Sequence, residues 1–209
     1  MPESRRERKK LLTKSAISDA AIALFLQQGY DRTTVAQIAA KADVDPKTFF
    51  NYFGSKDEVV FDVDGYDVLI AAIRDRRPDD GPGQVLARLV DGYDERVVPT
   101  RKSRDPAEQA ALSQLILTTP ALRARLQSLL HELQRRIAEV LLEEFPDQLD
   151  PVIAAAMTGS FIGALYQAAL VSIELGQSRK DALQSIQRAR DVALHGLLSV
   201  PRTQRKERS

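Results

Sequence analysis

Apolar residues recur at three- and four-residue steps along nearly the whole chain, the period of an amphipathic helix rather than of a strand. Ile17, Ala20, Ala21, Leu24 and Phe25 place a first helix over roughly residues 7–28, with Gly29 as its stop. Thr34-Val-Ala-Gln37 fits a capping box that opens a short second helix ending near Ala42. Asp43 and Val44 make a tight turn. Asp45-Pro46 then reads as an N-cap followed by proline in the first helical position, starting a third short helix that runs to about Phe53. Gly54 ends it, and Ser55-Lys-Asp-Glu58 is a second capping box. It is expected to open a long fourth helix with Val59, Val63, Tyr66, Leu69 and Ile73 on one face.

Pro78 through Gly83 break the chain, and Leu86, Leu89, Val90, Tyr93 and Val97 mark the next helix. Pro99 to Pro106 is a charged connection. Helices are then expected over about 106–117 and 120–145, the latter striped by Leu122, Leu126, Leu129, Leu133, Ile137 and Val140. Pro146 and Pro151 bracket a break before a helix over about 151–175, and a last helix carries Leu183, Ile186, Ala189, Val192 and Leu197. No strand pattern and no internal repeat emerges. The expected fold is all-α, about nine helices, with a three-helix N-terminal head and a C-terminal helical bundle. The boundaries expected are 1–56 for the head with its basic arm, 57–200 for the bundle, and 201–209 for a basic tail.

Residues 151–173 carry no charge and are long enough to span a bilayer, and Gly159-x-x-x-Gly163 is a close-packing motif of membrane helices. The same stretch holds Thr158, Ser160, Tyr166, Gln167 and Ser172, is rich in alanine, and is flanked by acidic Asp150 and Glu174. It therefore reads as a helix buried on all sides, at the centre of a core or at a subunit interface, with no membrane contact expected. Ala155, Gly159 and Gly163 are small enough to let another helix approach there.

Composition narrows the chemistry. With no cysteine there is no disulfide, thiolate metal site or cysteine nucleophile. The two histidines, His131 and His195, stand far apart, so no metal site and no cofactor is expected. No carboxylate pair, nucleophile with an adjacent base or glycine-rich phosphate loop argues for an enzyme. The charged N-terminus, with no signal-type apolar segment, reads as cytoplasmic. Net charge is only +1, but its distribution is uneven. Residues 1–56 hold 10 Lys/Arg against 6 Asp/Glu, a local +4, and the remaining 20 against 23 give −3. A basic front on an acidic body points that end toward a polyanion, although a solvated basic tail would look the same by charge alone.

Two short capped helices joined by a tight turn form a helix-turn-helix over about residues 34–53. Ile38, Val44 and Phe49 can face one another across the turn, and Ala39 is small where the helices approach. The opposite face of the second short helix then offers Lys47, Thr48, Asn51 and Tyr52, the kind of surface that lies in the major groove of DNA. The helix N-termini near Thr34 and Ser55 are candidates for phosphate contact. Lys56 at a capped helix start runs against the helix dipole, which points to a phosphate partner. Lys47 suits either guanine O6/N7 or a phosphate, and Asn51 can pair with adenine. Phe49 and Phe53 read as core, and Tyr52 as either a packing residue or a DNA contact. The run from Arg5 to Lys10 reads as a loose arm in the free protein that can reach DNA.

Over about residues 10–60 this block resembles the DNA-binding domain of the tetracycline-repressor (TetR) family of bacterial regulators. The resemblance rests on Phe25, Gly29-Tyr30, Thr34-Val35, Ile38-Ala39, Ala42, Val44, Thr48-Phe49-Phe50, Tyr52-Phe53 and Ser55-Lys56. Two positions depart from the family pattern. Asp43 stands where glycine is usual, and aspartate tolerates the left-handed turn. Phe50 replaces the more frequent tyrosine and removes a hydroxyl. The resemblance implies a homodimer that binds a palindromic double-stranded DNA operator, with its C-terminal helices forming a ligand pocket and the dimer interface. It implies that Thr34, Phe50, Tyr52 and Lys56 touch the DNA backbone and that Gln37, Lys47, Thr48 and Asn51 lie nearest the bases.

The expected activity is ligand-responsive regulation, with repression relieved by a small apolar or acyl-type molecule. Bound among the helices of residues 57–175, it would shift the fourth helix so that two recognition helices no longer fit half-sites roughly 34–36 Å apart. Candidate pocket positions are Phe61, Tyr66, Leu89, Tyr93, Leu112, Ile116, Phe161, Leu165 and Tyr166, each of which serves equally well as ordinary core. Gln114, His131 and Gln167 are candidate polar contacts. Thr48 to Lys56 and Thr119 to Arg125 are similar to a subgroup of the family that senses acyl-CoA-like ligands. The competing reading is a constitutive architectural DNA-binding protein, for which the long C-terminal portion is excessive.

Overall fold

A computed structural model describes residues 5–61, 65–91 and 105–196. Among these the regular structure is helical throughout: α1 (Arg5–Gln28), α2 (Val35–Lys41), α3 (Pro46–Phe50), a single 3-10 turn (Glu58–Val60), α4 (Gly65–Arg74), α5 (Pro82–Asp91), α6 (Pro106–Thr118), α7 (Pro120–Glu144), α8 (Pro151–Glu174) and α9 (Arg179–His195). The all-α architecture is the one that the apolar periodicity predicts.

The described residues pack as two units, the first formed by residues 5–61 with 105–129. Its core joins Ile17, Ala21 and Phe25 of α1 to Ile38 of α2, Phe49 of α3, Phe53 and Val59. Leu112 and Ile116 of α6 and Leu122 of α7 complete the same cluster. Ile17, Ala21, Ile38, Phe49 and Leu122 have no exposed surface. At ~25 cal/mol per Å² of apolar area removed from water, this cluster is what holds two helices of seven and five residues in place. Neither would be stable alone.

The second unit contains residues 66–91 and 130–196. Here Leu69, Ile70 and Ile73 of α4, Val85, Leu86 and Leu89 of α5, and Leu133, Ile137, Val140 and Leu141 of α7 are buried. Ion pairs join α4 to α7 through Arg74–Glu143 at 2.9 Å and Asp67–Arg136 at 2.6 Å. The Arg76 guanidinium, just past α4, lies 4.6 Å from the centroid of Phe145 and bridges to Glu144 at 3.3 Å. The first two pairs are largely solvated, so they align the helices more than they stabilise them. Helices α8 and α9 pack against each other, and α5 touches both.

Several expectations are corrected. No long helix opens at Ser55. The chain makes one 3-10 turn there, because the Glu58 carboxylate accepts from the Gly54 N–H at 2.7 Å rather than completing a cap on Ser55. Helix α4 begins only at Gly65, and Val63 lies outside the described residues. So do Tyr93 and Val97 of the expected fifth helix, most of the Pro99–Pro106 connection, Leu197 and the 201–209 tail. Residues 5–10, expected as a loose arm, form the first turns of α1. Helix α8 is long and apolar enough to cross a membrane by length and composition, with a mean hydropathy of 1.4 over its best window. It is not buried on all sides within the chain. Ala154, Thr158, Phe161, Ile162 and Ser172 face inward, whereas Val152, Ile153, Ala155, Ala156, Ser160 and Val171 are exposed. A Cβ built on Gly159 or Gly163 would meet nothing, so among the described residues no helix uses these glycines for close approach.

Candidate nucleic-acid interface

The helix-turn-helix is assembled from local chemistry. Thr34 caps α2 by accepting from the Gln37 N–H at 3.3 Å, while the Gln37 side-chain oxygen accepts from the Thr34 N–H at 2.9 Å, a reciprocal capping box. At the other end of α2, Asp43 adopts φ +54, the left-handed conformation that glycine usually takes. The turn closes with the Val44 N–H donating to the Ala39 carbonyl at 3.0 Å. Asp45 then caps α3 by accepting from the Lys47 N–H at 2.7 Å, with Pro46 in the first turn. The assigned helix ends at Phe50, three residues short of expectation. Its hydrogen bonding nonetheless continues, with the Phe53 N–H reaching the Phe49 carbonyl at 3.0 Å.

Phe49 orients this segment. Its ring has no exposed surface and packs 5.7 Å from Phe53, so the opposite side of α3 must face out. Lys47 and Asn51 are exposed, as is Phe50 at 57%, an unusual position for a phenyl ring. Thr48 and Tyr52 are half-buried, and Tyr52 packs against the core of the head. Thr34 and Gln37 are exposed at the start of α2. The structure thus brings Thr34, Gln37, Lys47, Thr48, Phe50, Asn51 and Tyr52 onto two adjacent helices.

Lys56 stands apart from them. Its ammonium turns inward, donating to the Tyr30 carbonyl at 2.9 Å and the Thr33 carbonyl at 3.1 Å, and lies 4.0 Å from the centroid of the Tyr30 ring. Burial, followed by the nearby Asp57 and Asp31 carboxylates, raises the Tyr30 phenol above its ordinary range. Thr33 and Gln28 belong to the same knot. The buried Thr33 hydroxyl donates to the Gly29 carbonyl at 2.8 Å, and Gln28 Nε2 donates to Thr33 Oγ1 at 3.1 Å and Gln37 Oε1 at 3.1 Å. The sequence gives no sign of Gln28 or Thr33, because Thr33 bonds a backbone carbonyl and Gln28 reaches side chains five and nine residues on, spacings that no helical period marks.

The expected effector positions separate. Leu112 and Ile116 are buried in the head's core, and Phe61 packs on its edge. Leu89 and Phe161 are buried, and Tyr66, Leu165 and Tyr166 half-buried, in the second unit. Gln114, His131 and Gln167 are exposed. The Tyr166 hydroxyl is buried and has no hydrogen-bond partner among the described residues. Two surface hollows in the second unit, of about 500 and 470 Å³, are lined by other residues, among them Arg76, Gln84 and Glu144 in the first and Asp67, Arg74 and Arg136 in the second. Among the described residues no group of three or more His, Asp or Glu is placed to hold a metal ion.

Comparison with known proteins agrees with this geometry. Residues 17–63 match the model of the bacterial regulatory proteins of the tetR family. The chain is 35% identical over 146 residues to the HTH-type transcriptional regulator TcmR of Streptomyces glaucescens, an alignment that covers 65% of this chain and 62% of TcmR. It is 47% identical over 45 residues to the HTH-type transcriptional regulator HbdR of Aromatoleum sp. (strain CIB), covering 22% of this chain and 20% of that one. The chain therefore spans less than two thirds of the length of either curated relative. In fold it is similar to the transcriptional regulator FadR of Bacillus subtilis, solved in complex with stearoyl-CoA, with a TM-score of 0.56 and 18% identity over 87% of this chain and 98% of that one. With the capped helix-turn-helix and its outward polar face in place, residues 17–63 are similar to the DNA-binding domain of the tetR family of bacterial regulatory proteins.

Proposed function

We propose that the protein is a dimeric, effector-released transcriptional repressor that reads a palindromic operator with α3. The observation that carries this reading is Phe49, whose complete burial forces Lys47, Phe50 and Asn51 outward on a helix capped at Asp45. In a major groove, Lys47, Thr48 and Asn51 lie nearest the bases. Thr34, Phe50 and Tyr52 meet the backbone, and Gln37, whose side-chain oxygen is held in the α2 cap, offers its amide N–H groups. Lys56 holds the frame behind them.

Two copies are required because one five-residue helix reads too little sequence, and a symmetric pair reads two half-sites. The unpartnered side of α8, with Val152 74% and Val171 47% exposed, together with Ala155 and the open glycines Gly159 and Gly163, suits an isologous contact with a second α8. For the effector, Tyr66, Leu89, Phe161, Leu165 and Tyr166 remain the candidate lining. The unsatisfied Tyr166 hydroxyl supports a site there that takes an apolar molecule bearing one polar group. An acyl chain on a polar carrier is of that type, and the fold shared with the stearoyl-CoA complex of Bacillus subtilis FadR supports testing that class first.

The test is fluorescence anisotropy of the protein on DNA from upstream of its own coding sequence, repeated with a panel of acyl-CoA thioesters of increasing length. Saturable binding to one palindrome, weakened at least tenfold by one member of the panel, is the expected result. Equal affinity for scrambled DNA would overturn operator reading, and affinity unmoved by every effector would favour the constitutive architectural reading.

A further inference from the structure

Outside the DNA-facing surface, one chain of contacts links a later helix to the end of α3. Arg125, in the second turn of α7, places Nη2 3.7 Å from Glu58 Oε1 and Nε 3.7 Å from Asp57 Oδ2. The other oxygen of Glu58 accepts from the Gly54 N–H at 2.7 Å, immediately after Phe53 closes the α3 hydrogen-bond ladder. Gly54 fits closely here. A Cβ on it would come within 3.2 Å of both Glu58 oxygens. Asp57 is bound into the same turn, its carbonyl accepting from the Val60 N–H. On the far side Arg125 is not free to wander, because Leu122 is buried in the head's core and Leu126 packs against it.

The Arg125 contacts are longer than a charge-assisted hydrogen bond, which is normally about 2.7–2.9 Å. Its Nε–H is buried and donates no hydrogen bond among the described residues. A buried guanidinium N–H without an acceptor, facing a carboxylate just out of reach, is poised. A small advance of α7 closes the gap and a small retreat breaks it, so the contact responds steeply to the position of this helix. The unpaired Nε–H faces Asp57, and through Nη2 the same guanidinium pulls on Glu58, the carboxylate that holds Gly54.

We propose that Arg125 and Glu58 form a two-step tie by which α7 sets the position of the C-terminal end of the recognition helix, making Arg125 a positioning residue for DNA reading that touches no DNA itself. The tie rests on the functional reading above for its purpose, but its first readout needs no DNA. Arg125→Gln removes the charge and the Nη groups while keeping the stem as far as Cδ, Arg125→Lys restores a charge, and Glu58→Gln weakens the acceptor to Gly54.

Amide resonances of the full chain are recorded by NMR for each variant, alongside thermal melts and operator titrations. In Arg125→Gln the Gly54 amide shifts in the same direction as in Glu58→Gln and exchanges with solvent several-fold faster, Arg125→Lys recovers part of both effects, and the melting temperature stays close to wild type. Operator affinity falls about tenfold, a size ordinary for coupling between contacting groups. A Gly54 amide that does not respond to Arg125→Gln overturns the tie, whether or not the protein binds DNA. A displaced Gly54 amide with wild-type operator affinity overturns the positioning role. If the wild-type protein binds no operator while Gly54 responds, the functional reading fails and the tie between α7 and α3 stands.

Discussion

The ammonium of Lys56 sits against Tyr30, 4.0 Å from the ring centroid and 2.9 Å from the carbonyl oxygen of the same residue. Sequence alone directs this lysine to a DNA phosphate, yet in the fold it serves the Tyr30 and Thr33 carbonyls just past α1, the first of which also accepts from the Thr33 N–H. Lys56→Met removes the ammonium from both carbonyls, leaving the Tyr30 oxygen only the Thr33 N–H, and is expected to cost ~1–3 kcal/mol. For a chain of this length that is about 2–4 °C of melting temperature per kcal/mol, read by circular dichroism. DNA binding weakens through the loosened frame, with the slope of log K against log salt unchanged. A slope smaller by about one would return Lys56 to the phosphate contacts.

Tyr30 gives the same knot a signature in alkaline solution. Burial first, then Asp57 and Asp31, raises its ionisation above the ordinary value of 10.0. The folded state therefore holds the proton more tightly than the unfolded chain. The stabilisation is complete below the ordinary value and is lost as pH rises through the raised one. Urea midpoints measured from about pH 8 to about pH 11 should fall more steeply for wild type than for Tyr30→Phe. Parallel curves would show that the phenol is not buried as described.

Asp43 carries the left-handed turn between α2 and α3 at some cost, since only glycine adopts φ +54 without strain. Asp43→Gly is expected to match or exceed wild-type stability by up to ~1 kcal/mol, with DNA affinity kept. Asp43→Val, β-branched at a positive φ, should lose at least ~1–2 kcal/mol. Equal stability of the two variants in denaturant titration would mean that the turn is not held in this conformation.

Adjacent phenylalanines should separate structure from recognition. Phe49→Ala removes a ring with no exposed surface and should cost ~3–5 kcal/mol, unfolding the head. Phe50→Ala, at 57% exposure, should leave the melting temperature nearly unchanged while lowering affinity for all DNA sequences alike. Lys47→Ala and Asn51→Ala should instead alter sequence preference, by ~1–3 kcal/mol at individual base pairs in a competition assay. Uniform losses from all three would remove the distinction between base and backbone contacts.

Gly163 tests the proposed pairing of α8 helices. Among the described residues nothing lies within 4 Å of a Cβ built there, so Gly163→Leu meets no close neighbour at its Cβ in the protomer. It also replaces a poor helix former with a good one, worth up to ~1 kcal/mol to an isolated helix. Sedimentation velocity should show dissociation of a wild-type dimer with helicity retained. An intact dimer at native stability would move the interface elsewhere.

Length and periodicity were enough to read nearly every helix, because an α-helix is set by contacts three and four residues apart. The same holds for the capping box of Thr34 and Gln37, the Asp45-Pro46 start of α3 and the left-handed Asp43, whose partners lie within one turn of chain. The burial of Phe49, and with it the outward face of α3, was legible for that reason. Where a side chain finds its partner far along the sequence, the pattern is silent. Lys56 goes to carbonyls 23 and 26 residues away, Leu112, Ile116 and Leu122 join the head's core, and Arg125 meets Asp57 and Glu58. The exposed side of α8 belongs to this second class, since a uniformly apolar helix does not announce which flank its own chain will cover. Local hydrogen bonding and side-chain period are written in the order of residues. The choice among distant partners is made only when burying apolar surface brings the helices together, and it decides which polar groups are left for DNA.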